Sequence, residues 1–224
     1  SRALCPSCGA SHDGEHPERC HVCNTALSKS VPLTNLYRIE NVGTRQADRI
    51  TSNDEERKRQ GFEIQTTFAF DASSYTASMK VNDDASDILQ IDYAQAAYIS
   101  RINKGLRRRA DKSEIGFYIN PKTGVWVGKP KDDGSDEERP DQLKQLIVPL
   151  VEDRKNALLI RFDDDWLSDL GKDADKTLTT LQHALARGIE AVFQLEEGEI
   201  LVEPTPSRSE RRALLFYEAA EGGA

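Results

Sequence analysis

Four cysteines constrain this chain more than any other feature. Cys5, Cys8, Cys20 and Cys23 are the only ones among 224 residues, and they read C-P-S-C, eleven residues, C-H-V-C. Two C-x-x-C pairs around a short loop supply four thiolates for one tetrahedral zinc ion. Each pair forms a tight knuckle whose backbone N–H groups offset thiolate charge. Gly9, directly after Cys8, suits the turn because glycine accepts positive φ. Disulfides would need an oxidising compartment, and nothing points to export. A redox C-x-x-C would not come as a matched pair inside a polar loop. His12, His16 and His21 share the segment. With four cysteines filling the site they read as surface residues, a three-cysteine, one-histidine set being the alternative. A ribbon of about 25 residues buries too little surface to fold alone, so the metal supplies its folding energy. The expected ribbon covers residues 1–30, and the larger body is expected to keep its core without the metal.

The remainder, residues 31–224, reads as a β-rich α+β body with one long packed helix. Leu33 to Val42 reads as a strand. Ser52 with Glu55 fits a capping box, predicting a short helix to Gln60 that Gly61 ends. Phe62, Ile64, Thr66, Phe68 and Phe70 alternate with more polar residues, a period-two strand. Tyr75 to Val81 and Asp87 to Tyr93 are further strands around an Asn82–Asp84 turn. Ile115 to Ile119 and Val125 to Val127 flank N-P-K-T-G, a hairpin turn. Lys131 to Asp141 reads as an acidic exposed loop. Leu146 to Val151 and Ala157 to Phe162 read as a strand pair around Glu152 to Asn156. Leu178, Leu181, Leu185, Ile189 and Val192 make one apolar stripe on a helix over Asp175 to Phe193. Ile200 to Val202 and Leu214 to Tyr217 close the series. No run approaches the ~20 apolar residues of a membrane span, and no N-terminal signal is present. The expected compartment is the cytoplasm.

Catalytic motifs are missing. The nearest approach to a phosphate-binding P-loop, Gly124 to Pro130, is one residue short, lacks the Ser or Thr and falls on a hairpin. Asp163-Asp164-Asp165 reads as a solvated loop capping the next segment. Glu218 and Glu221 have no Lys or His to complete a nuclease-like set. His183, beside the apolar stripe, reads as a structural histidine. Nucleic-acid binding has more support. The 38 acidic and 30 basic side chains give a formal charge of −8, so the whole surface is not an electrostatic footprint. Arg101 to Lys112, however, holds six bases and one acid. Arg101, Lys104, Arg107, Arg108 and Arg109 are the candidate phosphate contacts, because polyanions are bound by clustered Arg and Lys. Arg57, Lys58 and Arg59, beside Arg45 and Arg49, form a second tract. An ordinary solvated charged face is the alternative.

Three strings carry a resemblance. They are L-Y-R-I-E-N-V-G-T-R-Q-A-D-R-I-T-S-N-D-E-E-R-K-R-Q-G-F-E-I-Q-T-T-F at Leu36 to Phe68, T-L-Q-H-A-L-A-R-G-I-E-A-V-F-Q-L-E at Thr180 to Glu196, and L-L-F-Y-E-A-A-E-G-G-A at Leu214 to Ala224. Together they resemble the C-terminal region of bacterial superfamily 2 DEAD/DEAH-type helicases that end in an MrfA-type zinc-binding (MZB) domain, including DrmB-like proteins of DISARM phage defence. The resemblance implies a helicase motor in the same parent chain or in a partner subunit, ATP-driven action on DNA, and a role in repair or phage defence. In that family the E-G-G-A string runs on into a helix and a second cysteine cluster. The chain thus reads as a piece of a longer protein, ending inside an MZB-like segment. It would act as a non-catalytic, nucleic-acid-binding accessory region. A module docking a partner subunit in a defence complex is the alternative.

Overall fold

The computed structural model describes residues 1–14, 17–28, 30, 32–40, 61–70, 75–80, 87–109, 111–129 and 143–219. Several expectations lie outside them: the helix at 52–60, the Asn82–Asp84 turn, the acidic loop to Asp141, the tract at Arg45, Arg49 and Arg57–Arg59, His16, and the ending that holds Glu221. Eleven strands occur among the described residues: β1 (Arg2–Leu4), β2 (Ser11–Asp13), β3 (Leu36–Arg38), β4 (Phe62–Ala69), β5 (Tyr75–Lys80), β6 (Asp87–Leu106), β7 (Phe117–Ile119), β8 (Trp126–Val127), β9 (Gln145–Phe162), β10 (Ile200–Pro206) and β11 (Arg211–Glu218). Two helices, α1 (Asp164–Leu170) and α2 (Ala174–Phe193), follow β9, with a 3-10 turn at Gly171–Asp173 between them. The strand order is β10–β11–β9–β6–β4. The β-rich α+β class with one long helix is therefore observed. No helix among the described residues is long and apolar enough to cross a membrane.

The chain divides into two compact units. One holds Leu33–Gln65 and Ser100–Glu152 with Ser1, the other Arg2–Pro32, Thr66–Ile99 and Asp153–Ala224. The cysteine segment thus belongs to the second unit.

In that second unit the sheet is buried on both faces. Leu159 lies opposite Leu215 and Ile160 opposite Leu214 in the antiparallel β9–β11 ladder. Ala157, Leu159, Ala213, Leu215 and Tyr217 point to a core shared with Phe68, Phe70 and the cysteines Cys5, Cys8 and Cys20. Ile160, Phe162, Leu214 and Phe216 point the other way, to a core closed by Leu178 of α2, with Leu181, Leu185 and Ile189 packed against it. A strand covered on both faces has no polar side to show, which is why A-L-L-I and A-L-L-F-Y read as unbroken apolar runs. Val192, expected on the apolar stripe, is 75% exposed. It stands at the end of α2, where Gln194 turns left-handed and donates its N–H to the Glu190 carbonyl. Asp163 accepts from the N–H groups of Asp165 and Trp166 and caps α1, as the capping reading required.

The expected strand pair around Glu152–Asn156 is instead one continuous strand, β9. No Gly or Pro interrupts those five residues, and the polar groups of four of them find partners as strand side chains do. Glu152 accepts from Ser100 Oγ at 2.6 Å. The Arg154 guanidinium lies 5.0 Å above the Tyr98 ring, Lys155 donates to the Ala219 carbonyl at 3.1 Å, and Asn156 Nδ2 donates to Glu218 at 2.7 Å. Likewise β6 runs on to Leu106, well past the expected end at Tyr93.

In the first unit, β3 runs parallel to β9 with Leu36 opposite Val148. β7 is antiparallel to β8 and to β9. The N-P-K-T-G turn forms as expected: Asn120 Oδ1 accepts from the N–H of Lys122 at 2.9 Å, and Gly124 donates to the Asn120 carbonyl at 2.8 Å. Two glycines let the end of β6, the start of β7 and β9 meet. Gly105 and Gly116 both have φ of +103°, and a Cβ on Gly116 would lie 2.4 Å from the Ile147 carbonyl oxygen.

Candidate metal centre and basic segment

The four cysteines converge through two knuckles built alike. Cys5 N–H donates to the Ala10 carbonyl at 2.8 Å, and its own carbonyl accepts from Gly9 at 3.0 Å. Cys20 N–H donates to Thr25 at 2.8 Å, and its carbonyl accepts from Asn24 at 2.8 Å. Gly9 (φ +79°) and Asn24 (φ +61°) hold equivalent left-handed positions, which glycine and asparagine tolerate best. The β1–β2 hairpin, with Leu4 opposite Ser11, carries the first knuckle. Ser11 Oγ donates to the Phe68 carbonyl at 3.2 Å and ties that hairpin to β4.

All four sulfurs lie within 4.8 Å of one another. Cys5 Sγ is 3.5 Å from Cys23 Sγ, and Cys8 Sγ is 3.6 Å from Cys20 Sγ. A bonded pair would be at ~2.05 Å. The edges of a tetrahedron with metal–sulfur bonds of ~2.3 Å are ~3.8 Å, so the set fits one metal ion. The four thiols also perturb one another. The Cys20 hydrogen bond brings the Cys5 thiol down to about 7, and Cys23 is lowered by its bonds to Cys20 and Cys5. Cys8 is pushed up by its contacts with Cys20, Cys23 and Cys5 and by burial, and Cys20 by Cys23 and Cys5 with burial. Four thiolates this close need a positive charge to share. Cys23 Sγ donates to the Thr25 hydroxyl at 3.2 Å as a thiol, and as a thiolate it would accept from the same group.

His12 departs from the expected surface position. It is 4% exposed and meets the His21 ring edge-on at 4.5 Å, because it pairs with Ala3 on an inward-facing hairpin position. His183, by contrast, is exposed on α2. A cavity of about 280 Å³ touches Cys8, Cys23, Gln90, Arg161 and Arg212. Its guanidiniums are already engaged, Arg161 with the buried Asp92 at 2.8 Å and Arg212 with Asp164 at 3.1 Å.

The basic segment belongs to the other unit. Arg101 and Lys104 sit on β6, and Arg107, Arg108 and Arg109 lie just past its end. Burial holds the Lys104 ammonium below the usual lysine value, with Glu63 partly opposing. Arg107 donates its N–H to the Gly61 carbonyl at 2.5 Å and its Nε to the Phe62 carbonyl at 3.0 Å. Arg109 pairs with Glu63 at 2.8 Å and donates to the Leu106 carbonyl at 2.9 Å. Arg108 is exposed, with no partner among the described residues. Residues 101–129 hold eight basic and two acidic side chains, a net +6 in a chain of −8. Sequence reasoning missed the aromatic residues here. Phe117 meets Trp126 edge-on at 4.9 Å and Phe62 at 6.1 Å. Nothing local in the sequence signals that these three rings, drawn from β4, β7 and β8, come together.

No protein-family model, no curated protein and no solved structure matches this chain.

Proposed function

We propose that this chain is a non-catalytic accessory region of a cytoplasmic ATP-dependent DNA helicase, one that holds nucleic acid while a motor in the parent chain or a partner subunit acts on it. The carrying observation is the charge distribution: a net +6 is concentrated over residues 101–129 of an acidic chain. Clustered arginines bind phosphates through a planar fork of donors, largely regardless of sequence. The helicase setting, in repair or phage defence, rests on the resemblance of the three strings above. Zinc is the proposed ion, held by Cys5, Cys8, Cys20 and Cys23; four thiolates at tetrahedral spacing suit it. It would be structural, since four protein ligands leave no open position for a reacting water.

The test is DNA binding across a salt series with Arg107, Arg108 and Arg109 replaced by Glu. Affinity should fall more than tenfold, and the slope of log K against log salt should shrink by about 2–3. Because Arg109 has an internal partner, thermal stability is measured on the same variant. Unchanged affinity with lowered stability would replace this reading by the partner-docking module. That second reading has one observation of its own: Val192 and Phe193, at the end of α2, are 75% and 69% exposed.

A further inference from the structure

We propose that Phe62, Phe117 and Trp126, beside Arg107 and Arg108, form a platform on which the bases of a single-stranded nucleic acid stack. This rests on the nucleic-acid reading above and narrows it from any polyanion to unpaired strands. Trp126 is 57% exposed, and Val125 just before it is 60% exposed. An exposed indole next to an exposed valine, with a second ring against it, is a binding feature more than a packing one. Its ring is held, because Trp126 pairs with Ile119 across the hairpin and abuts Phe117 at 4.9 Å. Phe117 in turn neighbours Phe62.

The row ends at the cations. The Phe62 carbonyl accepts from Arg107 Nε at 3.0 Å, so the last ring and the first guanidinium sit on adjoining backbone. Exposed Arg108 follows. Aromatic faces beside a basic track are what unpaired strands require: bases stack on the rings, and phosphates follow the cations. In a duplex the base faces are already stacked on each other, so the indole has nothing to meet there. A docked protein would also value the apolar rings, but the net +6 of residues 101–129 favours a polyanion as occupant.

The experiment uses the full chain with Trp166→Phe, which leaves Trp126 as the sole indole. The probes are a labelled single-stranded oligothymidylate and a DNA duplex of the same length, each titrated at several salt concentrations. The single strand should bind at least tenfold tighter than the duplex and quench Trp126 emission. Adding Trp126→Ala should weaken single-strand binding tenfold or more. It should leave duplex affinity and both salt slopes unchanged, because stacking releases no counterions. Trp126→Phe should keep most of the affinity, which separates a lost ring from a misfolded hairpin. Arg108→Gln should reduce the slope by about 1 on both probes. Equal binding of the two probes, or single-strand binding indifferent to Trp126→Ala, overturns the platform and leaves the broader reading standing. Binding of neither probe by the parent chain removes both.

Discussion

Two segments of similar length handle charge in opposite ways. In residues 2–32 four thiols are gathered at one point, three of them buried in a core with Phe68, Leu159 and Leu215. In residues 101–129 they are eight basic and two acidic side chains, with Arg107 and Arg108 exposed beyond the end of β6. Charge packed into a core must be neutralised by something permanent, because solvent cannot screen it. Charge left at the surface is neutralised by exchangeable ions and is free to trade them for a ligand. On the reading proposed above, folding falls to the first segment and nucleic-acid recognition to the second.

The largest expected effect tests the folding half. Cys20→Ser removes a ligand that is also a core residue, 2% exposed. Bound metal should fall from one equivalent to near zero, and unfolding free energy should drop by more than about 4 kcal/mol, the range that loss of a metal reaches. Sequence reasoning expected the β body to stand without the metal. The shared core predicts instead that residues 66–99 and 153–219 lose hydrogen-exchange protection together with the ribbon. Protection of residues 100–129 should persist. An even loss along the whole chain would break the comparison.

Much of the ribbon was legible because its information is local. Two C-x-x-C pairs and a glycine fix knuckle geometry within six residues. Helix α2 was legible through its apolar period, failing only at Val192, which is 75% exposed in the helix's last turn. What was hidden depended on partners distant in sequence. The polar run Glu152–Asn156 reads as a turn until Ser100, Tyr98, Ala219 and Glu218 are placed beside it. His12 looked superficial because four cysteines left it no role, yet its hairpin position faces inward. The arginines were legible as a tract. That Arg109 is engaged, Lys104 half-buried and Arg108 exposed was not, since Glu63 lies 46 positions from Arg109.

A middle-sized effect tests how the recognition segment is held. Gly116→Ala places a Cβ 2.4 Å from the Ile147 carbonyl oxygen at a φ of +103°. Backbone strain of this kind costs on the order of 1–3 kcal/mol, and the carbonyl cannot move without disturbing β9. The expected outcome is a loss of about 2–3 kcal/mol in denaturant melts, with weakened single-strand binding because Phe117 follows directly. Metal content should stay at one equivalent. Coupled loss of metal would mean that the two segments are not separable as argued.

The smallest effect sharpens the account of surface charge. Glu63→Gln removes the carboxylate that Arg109 pairs with at 2.8 Å, a pair whose side chains are 16% and 38% exposed. Partly solvated pairs contribute roughly 0.2–1 kcal/mol, so the melting temperature should barely move. Arg109 keeps its bonds to the carbonyls of Leu106 and Lys112 and so stays in place with its charge unspent. Single-strand affinity at low salt should rise a few-fold, and the salt slope should steepen by up to about 0.7, the increment for one added phosphate contact. Lys104 cannot supply that gain: Glu63 is the group that supports its ammonium, so losing the carboxylate weakens the lysine charge further. A fall in affinity instead would mean that the ion pair aims Arg109 at the strand. Exposed charge would then need positioning just as buried charge does, and the division between the two segments would rest on burial alone.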